Sequence, residues 1–486
     1  MKKIMAIALT FIILITGVSV YASYEDINWG GAPSSEILIM EENSPIIIEN
    51  EDLLFDFTKE YASYIRYYMS GLTRAEYTMS NPSENSQTVE IAFPFLSEVL
   101  AFNSEIISIE IDGEEVDFQI FLGETLLDAG RELEDDEYLD FVPYIQSVTT
   151  REYSPRNYDL DEIGKLYRFE VSPGASDGLT IAIDDFIYDI DKSIVMNKGF
   201  NTFRYNEGIE TMSVRIDGRE ELELLVFGED IDFNFKAYLD ENYSEESDNY
   251  SLNSSTEEIS LRDYLLREVK IYEEGLDYLD KLADNQIFNI VLEKLDDNID
   301  KNVRNRGIDQ LFSLDYSERF FILVYDVEFE PYSTVELGIR YNSRGDRDIF
   351  NSYDPLYYFE HVLNPARKWS SVKNLNIEIR PPAEYPYVID SNLELVRDEE
   401  GNYLGSFDSL PEEDFTFSLY SKERFTTLDR ISGFFRRTPY AGGILGGIIG
   451  FTITKIYGRV KKNKGNSKEK NKAKNKAKNR GKNKRK

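Results

Sequence analysis

The chain has no cysteine among its 486 residues and a single histidine, His361. The first absence excludes disulfides, thiol catalysis and cysteine-ligated metals, and leaves no residue to carry an export lipid. The second excludes zinc held by several histidines. Any Ser-His-Asp site would have to use His361, which has no recognisable partner nearby in sequence. His361 is therefore expected to be a structural or surface residue. An EF-hand loop is missing too: Asp296-x-Asn298-x-Asp300 lacks the following glycine and lies on a helical pattern. Gly174-Ala-Ser176-Asp-Gly178 has the letters of a nucleophile elbow, but alternating residues follow it where a helix is required. It reads as a turn.

Positive charge is scarce except at the C-terminus. The net charge is −36, but it divides sharply: residues 23–437 carry −53, and Arg459 to Lys486 carry +14. Such an acidic body disfavours nucleic acid and anionic lipid as its partners and suits divalent cations or a basic partner. Its 89 acids offer no way to single out the carboxylate pair of a glycosidase. The densest acidic loop holds Glu134, Asp135, Asp136 and Glu137, and is the candidate Ca²⁺ site, expected to stiffen the first β-domain. No other cofactor is indicated.

Long uncharged runs stand at the two ends. Lys2 and Lys3 precede an apolar run from Ile4 to Val20, with Val20 and Ala22 as the small residues before a cleavage site at Ala22–Ser23. This is the pattern of a secretory signal peptide. Thr438 to Thr454 is uncharged, extends through Ile456 and Tyr457, and precedes the lysine-rich tail. About seventeen residues at 1.5 Å each nearly span a hydrocarbon core, and Lys455 can snorkel. The cations after it place the tail in the cytoplasm. The tail is low-complexity, is expected to be disordered, and is placed to meet anionic inner-leaflet lipids. Gly442, Gly446 and Gly450 form a small-residue stripe on the span, a candidate homodimer face. Export without cysteine suits a bacterium, so the Asn-x-Ser matches at Asn242, Asn249 and Asn253 carry no expectation of glycosylation.

The body reads as mainly β. Val89 to Phe93, Ile107 to Ile111, Leu179 to Ile183 and Ile231 to Phe235 alternate apolar and polar residues. Asp112-Gly113 and Asp217-Gly218 read as hairpin turns. The stretches 109–124 and 214–229 align around them, which suggests tandem related sandwiches. Ser260-Leu-Arg-Asp263 resembles a capping box. Apolar residues then recur every three or four positions from Leu261 to Leu282 and from Ile287 to Val303, the pattern of a helical hairpin. The expected organisation is a signal peptide (1–22), a first β-domain (23–130) and a second (131–240). An acidic, mobile linker (241–259), the helical hairpin (260–307) and a C-terminal β-domain (308–432) follow. One transmembrane helix (438–457) and a basic cytoplasmic tail (458–486) complete it. The fold class is mainly β: tandem antiparallel β-sandwich-like domains with a helical insertion.

Tyr358-Phe-Glu-His-Val-Leu-Asn-Pro-Ala-Arg-Lys-Trp369, Leu375-Asn-Ile-Glu-Ile with Pro381-Pro382, and Leu410-Pro-Glu-Glu-Asp are similar to a pattern in uncharacterised surface proteins of Gram-positive, Firmicutes-like bacteria that carry a signal peptide and a single span. Asn81-Pro and Phe93-Pro94-Phe95 resemble the N-terminal part of that group. The resemblance covers under a third of the chain and implies topology, not activity. The sequence thus points to a cell-membrane, single-pass protein with an extracytoplasmic body of unread ligand. Binding, adhesion or envelope organisation without catalysis is the leading expectation; an extracytoplasmic hydrolase or sensor with an unrecognised site is the alternative.

Overall fold

The computed structural model describes residues 34–424 and 426, except 42, 61–62, 65–67, 101, 103–106, 126–140, 175–177, 207, 304–305, 315–318, 349–353 and 425. The expected signal peptide, span and tail, the Glu134–Glu137 loop and Gly442, Gly446 and Gly450 lie outside the described residues. Among the described residues no helix is long and apolar enough to cross a membrane.

The fold is mainly β, with about half of the chain in strands and few helices. Strict alternation produces its longest strands. Tyr68–Ser80 turns Met69, Ala75, Tyr77 and Met79 inward, and Thr334–Asp348 does the same with Val335, Leu337, Ile339 and Tyr341. These two strands pair antiparallel over their whole length, from Thr334↔Ser80 to Asp346↔Tyr68. They form the middle of a 13-stranded sheet that also takes in Ile47–Asp56, Leu356–Val362, Leu375–Arg380 and Phe415–Tyr420. A four-stranded sheet centred on Gln87–Ser97 and Arg319–Phe329 faces it, and the two enclose a large apolar core.

The first and last β regions are therefore not separate domains. Strands from 47–97 pair directly with strands from 319–380, including the parallel pair Leu375–Arg380 with Ile47–Asp56. Alternation marks each strand but says nothing of a partner some 250 residues away. The middle of the chain forms its own sandwich. A five-stranded sheet runs Tyr250–Ser260, Ile163–Pro173, Glu220–Gly228, Ser193–Lys198 and Arg306–Gly307. It packs on a four-stranded sheet that includes Leu179–Phe186 and Ile209–Ile216, around Val171, Ile181, Ile183, Leu222 and Leu224.

Two helices, Leu261–Glu273 and Gln286–Asp300, bridge the two regions and bury Leu261, Tyr264, Leu265, Val291, Leu292 and Leu295 in the larger core. Ser260 caps the first helix by accepting from the Asp263 N–H at 3.0 Å.

Three expectations are corrected. Asp112-Gly113 is a tight hairpin turn, with φ of 50° and 83° as the primed type requires. Asp217-Gly218, by contrast, connects Ile209–Ile216 and Glu220–Gly228, which lie in different sheets. The two Ile-Asp-Gly stretches thus do different structural work and are not copies of one hairpin. Ile231 lies before its strand, which covers Asn234–Tyr238. Finally, the stretch expected to be a mobile linker holds an 11-residue strand, Tyr250–Ser260, paired in continuous register with Ile163–Pro173. Its side chains from Ser251 to Glu258 are exposed on both faces, so it shows no alternation for a sequence reading to detect.

Candidate functional sites: a buried carboxylate–histidine cluster and a charged groove

The large core encloses a polar cluster. Glu36 follows the short strand Ser34–Ser35, which runs parallel to Leu356–Val362 and pairs Ser34 with His361. The Glu36 N–H donates to the Val362 carbonyl at 3.1 Å, and the Trp369 indole N–H donates to the Ile37 carbonyl at 3.1 Å, fixing this segment over the sheet. Glu51 and Tyr77 face each other in the register of their two strands. Glu36, Glu51, Tyr77 and His361 are all 0 % exposed. One ligating atom each from Glu36, Glu51 and His361 lies within 4.8 Å of the other two.

The hydrogen bonding inside the cluster is uneven. Glu36 takes the Tyr77 hydroxyl at 2.7 Å on Oε2 and meets His361 Nε2 at Oε1. The Phe55 ring stands edge-on to the His361 ring at 5.7 Å. Neither Glu51 oxygen is within hydrogen-bonding geometry of a partner. Burial alone would raise the Glu36 carboxyl, but its electrostatic attraction to His361 and the surrounding hydrogen bonds hold it below the ordinary glutamate value. Glu51 is driven well above that value, first by burial and then by the charge of Glu36. A protonated Glu51 reaching towards Glu36 balances the charge but leaves a carboxyl oxygen unsatisfied, at about 1–3 kcal/mol for a buried polar group.

The second site lies on the middle sandwich. One face of its five-stranded sheet changes character along the strands. Leu166, Leu225 and Met196 are covered by the helices, whereas Arg168, Glu223 and Lys198, in register two residues further on, line a groove. Glu221, Arg267, Glu268 and Ile271 complete its lining, and it encloses about 420 Å³. Glu223 is the hub: it accepts from Arg168 at 3.0 Å, Arg267 at 3.1 Å and the buried Tyr264 hydroxyl at 2.8 Å. Lys198 pairs with Glu268 at 2.7 Å, and Arg168 reaches Glu257 of the outer strand at 2.7 Å. Arg168 thus links the groove to the edge strand Tyr250–Ser260.

His361, expected as an ordinary structural or surface residue, is fully buried, joined to the Glu36 carboxylate and close to that of Glu51. Sequence reasoning missed Glu36 and Glu51, which are more than 300 residues from His361 and form no spacing motif with it. A signal was present for one of them. Glu51 stands in phase with Leu53 and Phe55, an acid at an inward position of an alternating strand. Other acidic groups are absorbed by the fold: Asp184 accepts from Thr211 at 2.6 Å and Tyr238 at 2.8 Å, and Asp230 pairs with Lys165 and takes the Tyr167 hydroxyl at 2.9 Å. Asp296, from the EF-hand-like string, is 0 % exposed and accepts from the Arg156 and Asn157 N–H groups and the Tyr153 hydroxyl, at 2.8, 3.0 and 2.9 Å. Gly174 and Leu179 flank a strand-to-strand connection, not a strand-to-helix elbow.

No family model and no curated protein matches this chain. A solved protein of Legionella pneumophila subsp. pneumophila, described provisionally as nutrient-binding, is similar over 80% of this chain and 71% of its own, at 9% identity and a TM-score of 0.31. A likeness that slight carries no argument about activity.

Proposed function

We propose that the protein is a membrane-anchored extracytoplasmic binding protein, without catalysis of its own, that takes an extended polypeptide segment along the Tyr250–Ser260 edge. The observation that carries this reading is the edge itself. Eleven residues pair on one side with Ile163–Pro173, with no bulge, and have no strand on the other side among the described residues. Natural edges of that length are normally blunted by charged side chains, above all lysine, by proline, a bulge or a cover, and the charges here are confined to Glu257 and Glu258 at one end. This one, Tyr-Ser-Leu-Asn-Ser-Ser-Thr-Glu-Glu-Ile-Ser, has no lysine, proline or bulge. Strand addition draws affinity from main-chain hydrogen bonds and selectivity from side-chain sites beside the edge. Here the side-chain site is the Arg168–Glu223–Arg267 groove. Glu257 and Glu258 on the edge, with the net −53 of residues 23–437, select a neutral or basic segment.

Anchoring rests on the sequence of the two ends: a leader through Ala22, a span at 438–457, and a cationic tail on the inner leaflet. The Gly442/Gly446/Gly450 stripe is proposed to pair two copies, and Gly446→Ile is expected to abolish their crosslinking in membranes. The Glu134–Glu137 loop is proposed to take Ca²⁺, which is expected to raise the melting temperature.

The binding reading is tested with full-length protein in nanodiscs and a phage-displayed library of random 12-residue peptides. Enriched peptides are expected to alternate β-branched or aromatic residues with lysine or arginine, and to bind Ser254→Lys protein at least tenfold more weakly. Failure to enrich such peptides, or equal binding to the variant, refutes the reading.

A further inference from the structure

The two halves of the large core bring together one imidazole and two carboxylates that have no ordinary reason to be buried side by side. Burying charge is costly unless it is paired, and Glu51, whose charge is opposed by the neighbouring Glu36, has neither oxygen in good hydrogen-bonding geometry in a site that solvent does not reach. A water molecule could serve it only with further polar partners, and Leu53, Phe55 and Phe415 are among the buried apolar side chains of this core. Three side chains with ligating atoms inside a 4.8 Å span match the first coordination sphere of a small cation.

We propose that Glu36, Glu51 and His361 bind one divalent transition-metal ion, zinc being the best match, in a closed site inside the β core. The donor chemistry narrows the ion. Calcium requires six to eight oxygen ligands, and magnesium usually keeps several waters, neither of which a dry site with three side chains supplies. Copper(I) favours sulfur ligands, and the chain has no cysteine. Zinc accepts a mixed nitrogen and oxygen set in four-coordinate geometry at about 2.0–2.2 Å. One His nitrogen and two carboxylates, one of them bidentate, provide four ligand atoms without water. The charges then balance, since two carboxylates offset one dication and the imidazole binds as the neutral ring.

The surroundings suit that role. Tyr77 donates to Glu36 Oε2 and orients the carboxylate, while Phe55 fixes the plane of the His361 ring. Glu36 directly follows the short strand that runs parallel to that of His361, and Glu51 comes from a strand of the same sheet, so the ion would tie the N-terminal segment at Ser34–Ile39 into the sheet.

The experiment uses full-length protein carrying no polyhistidine tag, refolded with zinc or with EDTA, and then analysed for metal by mass spectrometry. About one zinc per chain is expected, with a melting temperature higher in zinc than in EDTA. Cobalt(II) in place of zinc is expected to give the visible absorption of a tetrahedral centre. Glu51→Gln, which mimics a neutral carboxyl, is expected to lower metal content at least tenfold and to remove the zinc dependence of melting. Wild-type protein that folds metal-free to the same melting temperature in zinc and EDTA overturns the proposal. So does a Glu51→Gln protein that keeps its zinc. If the variant does not fold, the wild-type zinc and EDTA comparison still decides.

Discussion

The large core and the middle sandwich use the same residue types in opposite ways. In the large core polar groups point inward and are held: Glu36, Glu51, Tyr77 and His361 inside the sheets, and Asp296 under the loop at 153–157. In the sandwich Asp184 is held in the same way by Thr211 and Tyr238, but other charged groups lie at a groove or at the surface. Glu223 joins two half-exposed arginines at a groove, Asp230 sits with Lys165 at the surface, and Tyr250–Ser260 leaves a polar edge uncovered. A charge fixed by several buried donors contributes to stability, whereas a solvated one contributes little and stays available to a partner. The contrast is between a frame that carries stability and a module on whose exposed groups the proposed recognition rests.

That separation predicts a graded series of substitutions. The largest effect belongs to Asp296. Asp296→Ala leaves two backbone N–H groups and the Tyr153 hydroxyl without their acceptor, and is expected to cost about 3 kcal/mol in urea denaturation. Its pH dependence follows from the same contacts. Burial alone would raise its carboxyl, but the Arg156 and Asn157 N–H groups and the Tyr153 hydroxyl outweigh burial and hold it below the ordinary aspartate value. The folded pKa is thus depressed. Its stabilising contribution is fully present above the unfolded value of about 3.9 and is lost as pH falls through the folded one. Asp296→Asn is expected to flatten the loss of stability in that acidic range, and an unchanged acid transition would remove Asp296 from the frame.

Glu223 comes next, at the border between the two regions. Glu223→Ala is expected to cost about 2 kcal/mol, because Tyr264 is buried while Arg168 and Arg267 regain water. The cost should change little between low and high salt. Asp230→Ala, in the exposed pair with Lys165, is expected to cost less than about 1 kcal/mol, and that cost should fall with added salt. An Asp230 effect as large as that of Asp296 would erase the distinction. The smallest stability effect is expected for Ser254→Lys, within about 0.5 kcal/mol as for an exposed surface site, although it removes peptide binding.

How much of this is legible in the sequence follows the same division. Alternation located Val89 to Phe93 and Leu179 to Ile183 because the apolar residues of each line one dry face. Helical spacing located both helices, and the capping box located the start of the first. The strand at Tyr250–Ser260 left no trace, since an edge with two wet faces has no period. The pairing of Ile47–Asp56 with Leu375–Arg380 left none either, as parallel register over such a distance is decided only in the folded core. Glu51 could have been flagged as an acid at an inward position. Its meeting with Glu36 and His361 could not, because His361 comes from a strand more than 300 residues away.

Hydrogen–deuterium exchange along 250–260 decides whether the edge strand is the recognition surface. In the free full-length protein, the outward-facing N–H groups of this strand are expected to exchange quickly, and those paired to Ile163–Pro173 slowly. Adding a selected strand-forming basic peptide is expected to slow the fast set and leave 47–97 and 319–380 unchanged. If 250–260 is fully protected before any peptide is added, or stays unchanged when one binds, the edge is not the recognition surface and the account fails.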